Sequence, residues 1–297
     1  MRKFPLSLSS KERMGVYLLL PLLVWLAVVL LYPLGYVIML SFFRRDPATN
    51  VFQFQGFTHF SNLLLRDNSF WQALLRSLRW TVTNVTVQFT VGILTALLLR
   101  QQGRGRALIR TSVILPWITP VAVVALVWRW MLNPTLGIFE SALRHVGLLE
   151  GYLNLLGNVN TVMATMIAIH SWRSFPFVAI TLLGRMLGIP EELYEAARVD
   201  GASKIQGFLH ITLPQLRGVM LTFLMLATVW TFTSFDTIFL ISGGGPINFT
   251  TTLPILAYRK AFQTYQLNEA AALSVIMFLI TSVFMVLYIK LGVEDSD

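Results

Sequence analysis

Six apolar stretches recur along the chain, near residues 16–43, 78–99, 107–131, 161–186, 217–241 and 270–291. A helix needs roughly 20 mainly apolar residues to cross about 30 Å of hydrocarbon. Lipid offers no partner to an unpaired backbone amide, so each stretch is expected to span the bilayer as a helix. The gaps between stretches reach only about 30 residues, which leaves no room for a soluble domain of ordinary size. The expectation is an all-α membrane protein with six transmembrane helices in a single transmembrane domain over 1–297. A composition of 55% hydrophobic and 12% charged residues belongs to that class rather than to a soluble one.

Lysine and arginine in the short loops set the orientation, because positive flanks stay in the cytoplasm. With the N-terminus inside, thirteen such residues fall in inner segments, among them Arg2, Lys3, Lys11, Arg13, Arg100, Arg104, Arg106 and Arg110, against seven in outer loops. Both termini are therefore expected in the cytoplasm. Lys11 and Arg13 precede the first stretch as in a signal peptide, but the stretch exceeds a signal h-region and no small-residue cleavage site follows, so it is read as a retained anchor. The net charge of +9 forms no continuous basic stripe and gives no reason to expect a nucleic-acid partner. No cysteine is present and the four histidines show no ligand spacing, which argues against a metal site.

One hydrophilic segment stands apart from the apolar pattern. "PEELYEAARVDGASKIQGFLHITLP", Pro190 to Pro214, lies between the fourth and fifth stretches, on the inner side. Pro190 suits a helix start, and Glu191 and Glu192 suit the positive end of the helix dipole. Asp200-Gly201 marks a sharp turn, and Ser203 can cap a second short helix expected to end before Thr212. Thr212 with Gln215 has capping-box spacing, and Pro214 fits the first turn of the fifth span.

The same segment carries a family resemblance. Glu195-Ala196-Ala197, Gly201, Ile211, Leu213 and Pro214 match the signature E-A-A, three residues, G, nine residues, I-x-L-P of the permease subunits of binding-protein-dependent ABC importers. "LLYPLGYVIMLSF", "RGRALIRTSVILPWITPVAVVALVWRWMLNPTLG" and "FDTIFLISGGGP" resemble the sugar-type branch, in particular the first maltose-type permease, although the extra N-terminal spans and large periplasmic insertion of that permease are missing here. The resemblance implies a type I importer fold in a prokaryotic inner membrane. It implies a coupling helix gripped by an ABC ATPase through Glu195, Ala196, Ala197, Asp200, Gly201, Ile211, Leu213 and Pro214. It further implies a second permease subunit, an external solute-binding protein, and ATP with magnesium held by the ATPase rather than by this chain.

Polar side chains at mid-membrane depth carry the other expectation, since they are costly there unless partnered. His170, Arg173, Ser174 and Phe177 stand at i, i+3, i+4 and i+7 and share one face of the fourth span. Ala227, Trp230, Thr231 and Ser234 repeat that spacing in the fifth, and Trp117 and Val121 are four apart in the third. Aromatic rings beside hydroxyls suit a sugar, whereas interhelical hydrogen bonding and simple packing account for the same residues equally. The resemblance implies the sugar, because an ungapped count from Glu195 places the family's sugar-contacting positions on these residues of the fourth and fifth spans, and alignment through "LPWITPV" places them on Trp117 and Val121. Arg129 and Asp236, near the outer ends of their spans, are expected to pair or to reach water. "SGGGP", Ser242 to Pro246, lacks the Lys-Ser/Thr of a phosphate loop and is read as a flexible outer turn. A self-sufficient ion-coupled transporter or channel is the alternative; it draws on Asp236 and His170 alone and requires uptake by this chain by itself. A membrane scaffold is a further alternative, and it would show no substrate effect.

Overall fold

Prolines and hydroxyl-rich runs decide where the membrane helices of this chain break. The computed structural model describes residues 10–45, 51–100, 106–147 and 154–293; Arg2, Lys3 and Arg104, used above for orientation, lie outside them. Among the described residues five helices are long and apolar enough to cross a membrane (Met14–Phe42, Asn68–Arg100, Val162–Leu187, Lys204–Phe232 and Leu267–Leu291), and a bent pair, Leu108–Ile118 with Val121–Met131, makes a sixth when counted as one span. The chain packs as two compact units, one reaching Arg66 and including Arg259–Ile276, the other holding Asp67–Tyr258 and the remainder of the last helix.

In the first unit, α1 (Ser10–Leu26) and α2 (Tyr32–Phe42) are joined through a π-helical turn at Ala27–Leu31. A short antiparallel hairpin follows, with Phe43 opposite Phe54, so the all-helical expectation misses two three-residue strands. The amphipathic α3 (Thr58–Leu65) comes next. The end of α2 is held by side chains: Asn268 Nδ2 donates to the carbonyls of Leu40 and Phe43 at 3.0 and 2.6 Å, and His59 Nε2 lies 3.1 Å from the Phe43 carbonyl. The Leu40 carbonyl also accepts from the Phe43 amide, so the side chains reinforce the point where the helix passes into the strand.

The second unit begins with α4 (Asn68–Arg100), which starts ten residues before the expected 78. The Asp67 carboxylate accepts from the Ser69 amide at 2.9 Å and sets that start. Next come α5 (Arg106–Ile118), α6 (Val121–Met131), α7 (Ile138–His145) and α8 (Val162–Leu187). The expected straight span 107–131 is instead bent by 92° between α5 and α6. Its cause is Pro120: a proline disfavours helical angles at the residue before it and offers no amide, and Pro120 itself is extended at φ −55°, ψ 136°.

The hydrophilic segment forms α9 (Glu191–Val199) and α10 (Lys204–Gly207). A π-helical turn at Phe208–Thr212 then leads into α11 (Leu213–Phe232), so α10 and α11 run as one helix. The break expected at Thr212 is absent; Thr212 is helical and caps nothing. The wider π turn immediately before Pro214 accommodates a residue whose missing amide and bulky ring disrupt regular helix. The fifth span also ends earlier than the expected 241. After Phe232, the run Thr233-Ser234 turns the chain, with the Thr233 hydroxyl donating to the Val229 carbonyl at 2.8 Å, and α12 (Asp236–Ser242) starts afresh. Hydroxyl side chains compete for backbone groups in this way. The chain closes with α13 (Leu253–Tyr258), a π-helical turn at Arg259–Gln263 and α14 (Leu267–Val293).

Two buried clusters hold the second unit. Trp80, Val124, Met166, Ile169, Ile238 and Ile255 form one; Phe89, Leu99, Val178, Leu182, Met186 and Leu216 form the other. α4 and α8 approach closely at Gly92, where a Cβ would stand 2.7 Å from Val178 Cγ1. "SGGGP" is not the loose turn expected. Ser242 Oγ lies 2.7 Å from Thr250 Oγ1, Thr251 Oγ1 donates to the Gly244 carbonyl at 3.0 Å, and Thr250, Thr251 and Thr252 are buried.

Candidate functional site

Two places gather the residues singled out by sequence. The first is the turn between α9 and α10. Pro190, at φ −57° and ψ 133°, precedes α9, and Gly201 follows it at φ +80°. The Gly201 amide donates to the Arg198 carbonyl at 3.1 Å and the Ala202 amide to the Ala197 carbonyl at 2.8 Å. This paired closure, the Schellman motif, needs a residue at positive φ, which glycine adopts without the penalty a Cβ incurs. Ser203 then opens α10 with a reciprocal capping box: Ser203 Oγ accepts from the Gln206 amide at 3.3 Å and Gln206 Oε1 from the Ser203 amide at 2.7 Å.

Glu195, Ala196 and Asp200 are exposed on this turn, Ala197 is half-buried, and Val199 and Ile205 expose 88% and 72% of their surface. Ile211 and Leu213 are half-buried and Pro214 is exposed in the helix that leaves the turn. The sequence reading missed the residues that fasten the turn to the membrane helices. Arg100, the last residue of α4, stacks its guanidinium 4.2 Å from the Tyr194 ring centre and reaches Glu191 Oε2 at 3.3 Å. The Tyr194 hydroxyl lies 2.8 Å from Thr212 Oγ1, and Arg185 at the end of α8 donates to the Gln215 carbonyl and side chain at 3.1 and 3.0 Å. The signal was available as basic residues at helix C-termini facing a tyrosine, but only the fold brings them together.

The second place is a cavity of about 420 Å³. Trp117, Val121, His170, Arg173, Ser174, Phe177, Ala227, Trp230, Thr231 and Ser234 all line it. The breaks in the helices explain why. Trp117 and Val121 flank the α5–α6 bend, and Thr231 and Ser234 flank the end of α11. A broken helix leaves backbone groups unpaired at membrane depth, where they are tolerated only against protein or a polar cavity. Accordingly, Arg173 Nε donates to the freed Thr119 carbonyl at 3.4 Å, and Trp80 Nε1 to the Thr231 carbonyl at 3.1 Å.

Aromatic rings form one wall. Phe177 stacks on Trp117 at 4.7 Å and 4°, and its ring lies 5.2 Å from Phe223 and 6.1 Å from Trp230. His170 rests 5.0 Å from the Trp80 ring, with Nδ1 3.4 Å from Thr237 Oγ1. Flat rings beside hydroxyls, an imidazole and a guanidinium offer both stacking surfaces and hydrogen bonds. Gln88, Phe223, Thr233, Phe235, Asp236 and Thr237 also line the cavity and were not anticipated. Phe223 stands four residues before Ala227 on the same face of α11, a spacing that could have included it. Of the two arrangements expected for Arg129 and Asp236, the ion pair does not form and both residues are exposed; Arg129 Nη1 donates to the Leu240 carbonyl at 3.3 Å, and Asp236 opens α12 at the cavity. Among the described residues no group of histidine and acidic side chains is arranged to hold a metal ion.

Residues 88–291 match the family model described as binding-protein-dependent transport system inner membrane component. The chain is 33% identical to a probable ABC transporter permease protein of Brucella suis over 95% of this chain and 97% of that one. It is 30% identical to the trehalose/maltose transport system permease protein MalF of Thermococcus litoralis, over 95% of this chain and 94% of that one. In fold it is similar to a chain of a bacterial ABC transporter involved in import of the acidic polysaccharide alginate, with a TM-score of 0.84, 23% identity and 96% of each chain covered.

Proposed function

The chain belongs to the family of binding-protein-dependent transport system inner membrane components, and from that premise we propose that it forms half of the pathway of an ATP-driven importer for a sugar or sugar derivative. It is a transport permease with a type I importer fold in the inner membrane. In this reading a second, homologous permease completes the pathway, two ATPase subunits hold ATP and magnesium and perform the hydrolysis, and an external binding protein delivers the cargo.

The supporting observation is one of placement. A rigid turn exposing Glu195, Ala196, Val199 and Ile205 stands at one end of the continuous helix from Lys204 to Phe232, and the cavity lies at the other end. Closure of the ATPases displaces the turn, the helix transmits that displacement, and the cavity opens outward to receive cargo. Trp117, Phe177 and Trp230 would stack on the C-H face of a saccharide ring, while Ser174, Thr231, Ser234, His170 and Arg173 would bond its oxygens. MalF of Thermococcus litoralis, named for trehalose and maltose transport, points to the same cargo class.

The test is reconstitution with the second permease, the ATPase and the binding protein in vesicles. Binding protein loaded with trehalose, maltose or an alginate oligosaccharide is presented in turn. At least one is expected to stimulate ATP hydrolysis and uptake together. Uptake by this chain alone, driven by an ion gradient, would refute the assignment.

A further inference from the structure

We infer that Gln88 on α4 is a cargo-contacting residue that helps to set specificity, an inference resting on the reading of the cavity as the saccharide path. Ser77, Thr81, Asn84 and Gln88 recur at helical spacing on one face of α4, and all four are at most 3% exposed. The first three are spent on the fold. Ser77 Oγ accepts from the Leu253 amide at 2.8 Å, Thr81 Oγ1 donates to the Ser77 carbonyl at 2.8 Å, and Asn84 bridges the Trp80 carbonyl at 2.8 Å and Ser171 Oγ at 3.0 Å.

Gln88 differs from them. Its Nε2 is buried without a hydrogen-bond partner, and the residue lines the cavity beside His170, Arg173 and Phe177. A glutamine kept for structure would be bonded as Asn84 is, because a buried donor left unpaired is destabilising. The terminal torsion of glutamine is soft, so the amide turns toward the cavity without movement of α4. There its N-H can donate to a hydroxyl, ring or acidic oxygen of the cargo. A site built around such a donor discriminates against a cargo lacking the matching oxygen far more sharply than an apolar wall does. α4 thereby joins α5, α6, α8 and α11 around the cargo.

The test uses the complete importer in proteoliposomes, with radiolabelled trehalose, maltose and an alginate oligosaccharide as probes. For whichever probe wild type takes up, Gln88→Met is expected to raise KM about three- to tenfold. The melting temperature of the complex should stay the same or rise, because an unsatisfied donor has been removed. Gln88→Glu, similar in shape but unable to donate when ionised, should lose affinity as well, and it decides the matter if the methionine variant does not reach the membrane. An unchanged KM in these variants alongside a raised KM in Trp230→Ala overturns the role of Gln88 and leaves the cavity assignment standing. Unchanged KM in all three, or wild type that takes up no probe, overturns the cavity assignment and this inference with it. Failure of both Gln88 variants to assemble would mark the residue as structural and likewise overturn it.

Discussion

The turn from Glu191 to Pro214 and the cavity of about 420 Å³ are built on opposite principles. The features that set the backbone of the turn lie within a few residues of their partners: the closure at Gly201, the Ser203–Gln206 box, the π turn before Pro214. The cavity has no local logic. It draws its walls from helices as far apart as α4 and α11, and its shape depends on where two of those helices break. The turn is therefore most fragile to changes in its own backbone, whereas the cavity depends on the side chains that face it as well as on the breaks in its helices.

Gly201→Val should break that contrast most severely. Forcing a β-branched residue to φ +80° costs about 1–2 kcal/mol or more, and no neighbour within 4 Å obstructs the side chain, so the backbone alone is responsible. The complex should assemble, yet uptake should fall about tenfold or more, since each 1.4 kcal/mol is a factor of ten. Normal uptake by this variant would disprove the role given to the turn. Trp230→Ala comes next. Trp230 is 56% exposed in this chain and lines the cavity, and its loss should raise the KM for saccharide about tenfold, equivalent to about 1.4 kcal/mol of lost contact. A KM equal to wild type would remove it from the pathway.

Smaller effects test the fastening between turn and helices. Tyr194→Phe deletes one hydrogen bond to Thr212, worth about 0.5–1.5 kcal/mol, and should lower the uptake per ATP hydrolysed about threefold. Thr212→Val should do the same, and the double variant should be no worse than either single one; additive losses would show that the pair does not act as a unit. Glu191→Gln should matter least. Glu191 and Arg198 are largely exposed, and of the partners of Glu191 only Arg100, at 22%, is sheltered, so these contacts are screened by salt and contribute little. Less than a twofold change in uptake, fading further at high salt, is the expected result.

The sequence was legible where its chemistry is local. The helix starting after Pro190, the positive-φ turn at Asp200-Gly201 and the Ser203 cap could be read because each involves residues at most five apart. Six spans were legible from apolar length, which the membrane imposes. What could not be read was a choice between competing local solutions. Thr212 with Gln215 offered a cap, but the helix runs through it because the π turn absorbs Pro214 and Tyr194 takes the Thr212 hydroxyl. Thr233 and Ser234 gave no proline to announce the end of α11. In the cavity, helical spacing put the residues of α8, and those of α11 as far as Thr231, on common faces, while Ser234 lies beyond the end of α11. It could not reveal Gln88 or Asp236, whose neighbours come from other helices.

The claim that turn and cavity are distinct parts joined by the helix from Lys204 to Phe232 is tested most directly by one titration. ATP hydrolysis by the reconstituted importer is measured against increasing saccharide-loaded binding protein for wild type, Gly201→Val and Trp230→Ala. The valine variant should lose stimulation at saturation with little change in the half-maximal concentration. The alanine variant should require more saccharide-loaded binding protein for half-maximal stimulation yet approach the wild-type ceiling. If both variants change the same parameter in the same direction, turn and cavity are not separable and the account is contradicted.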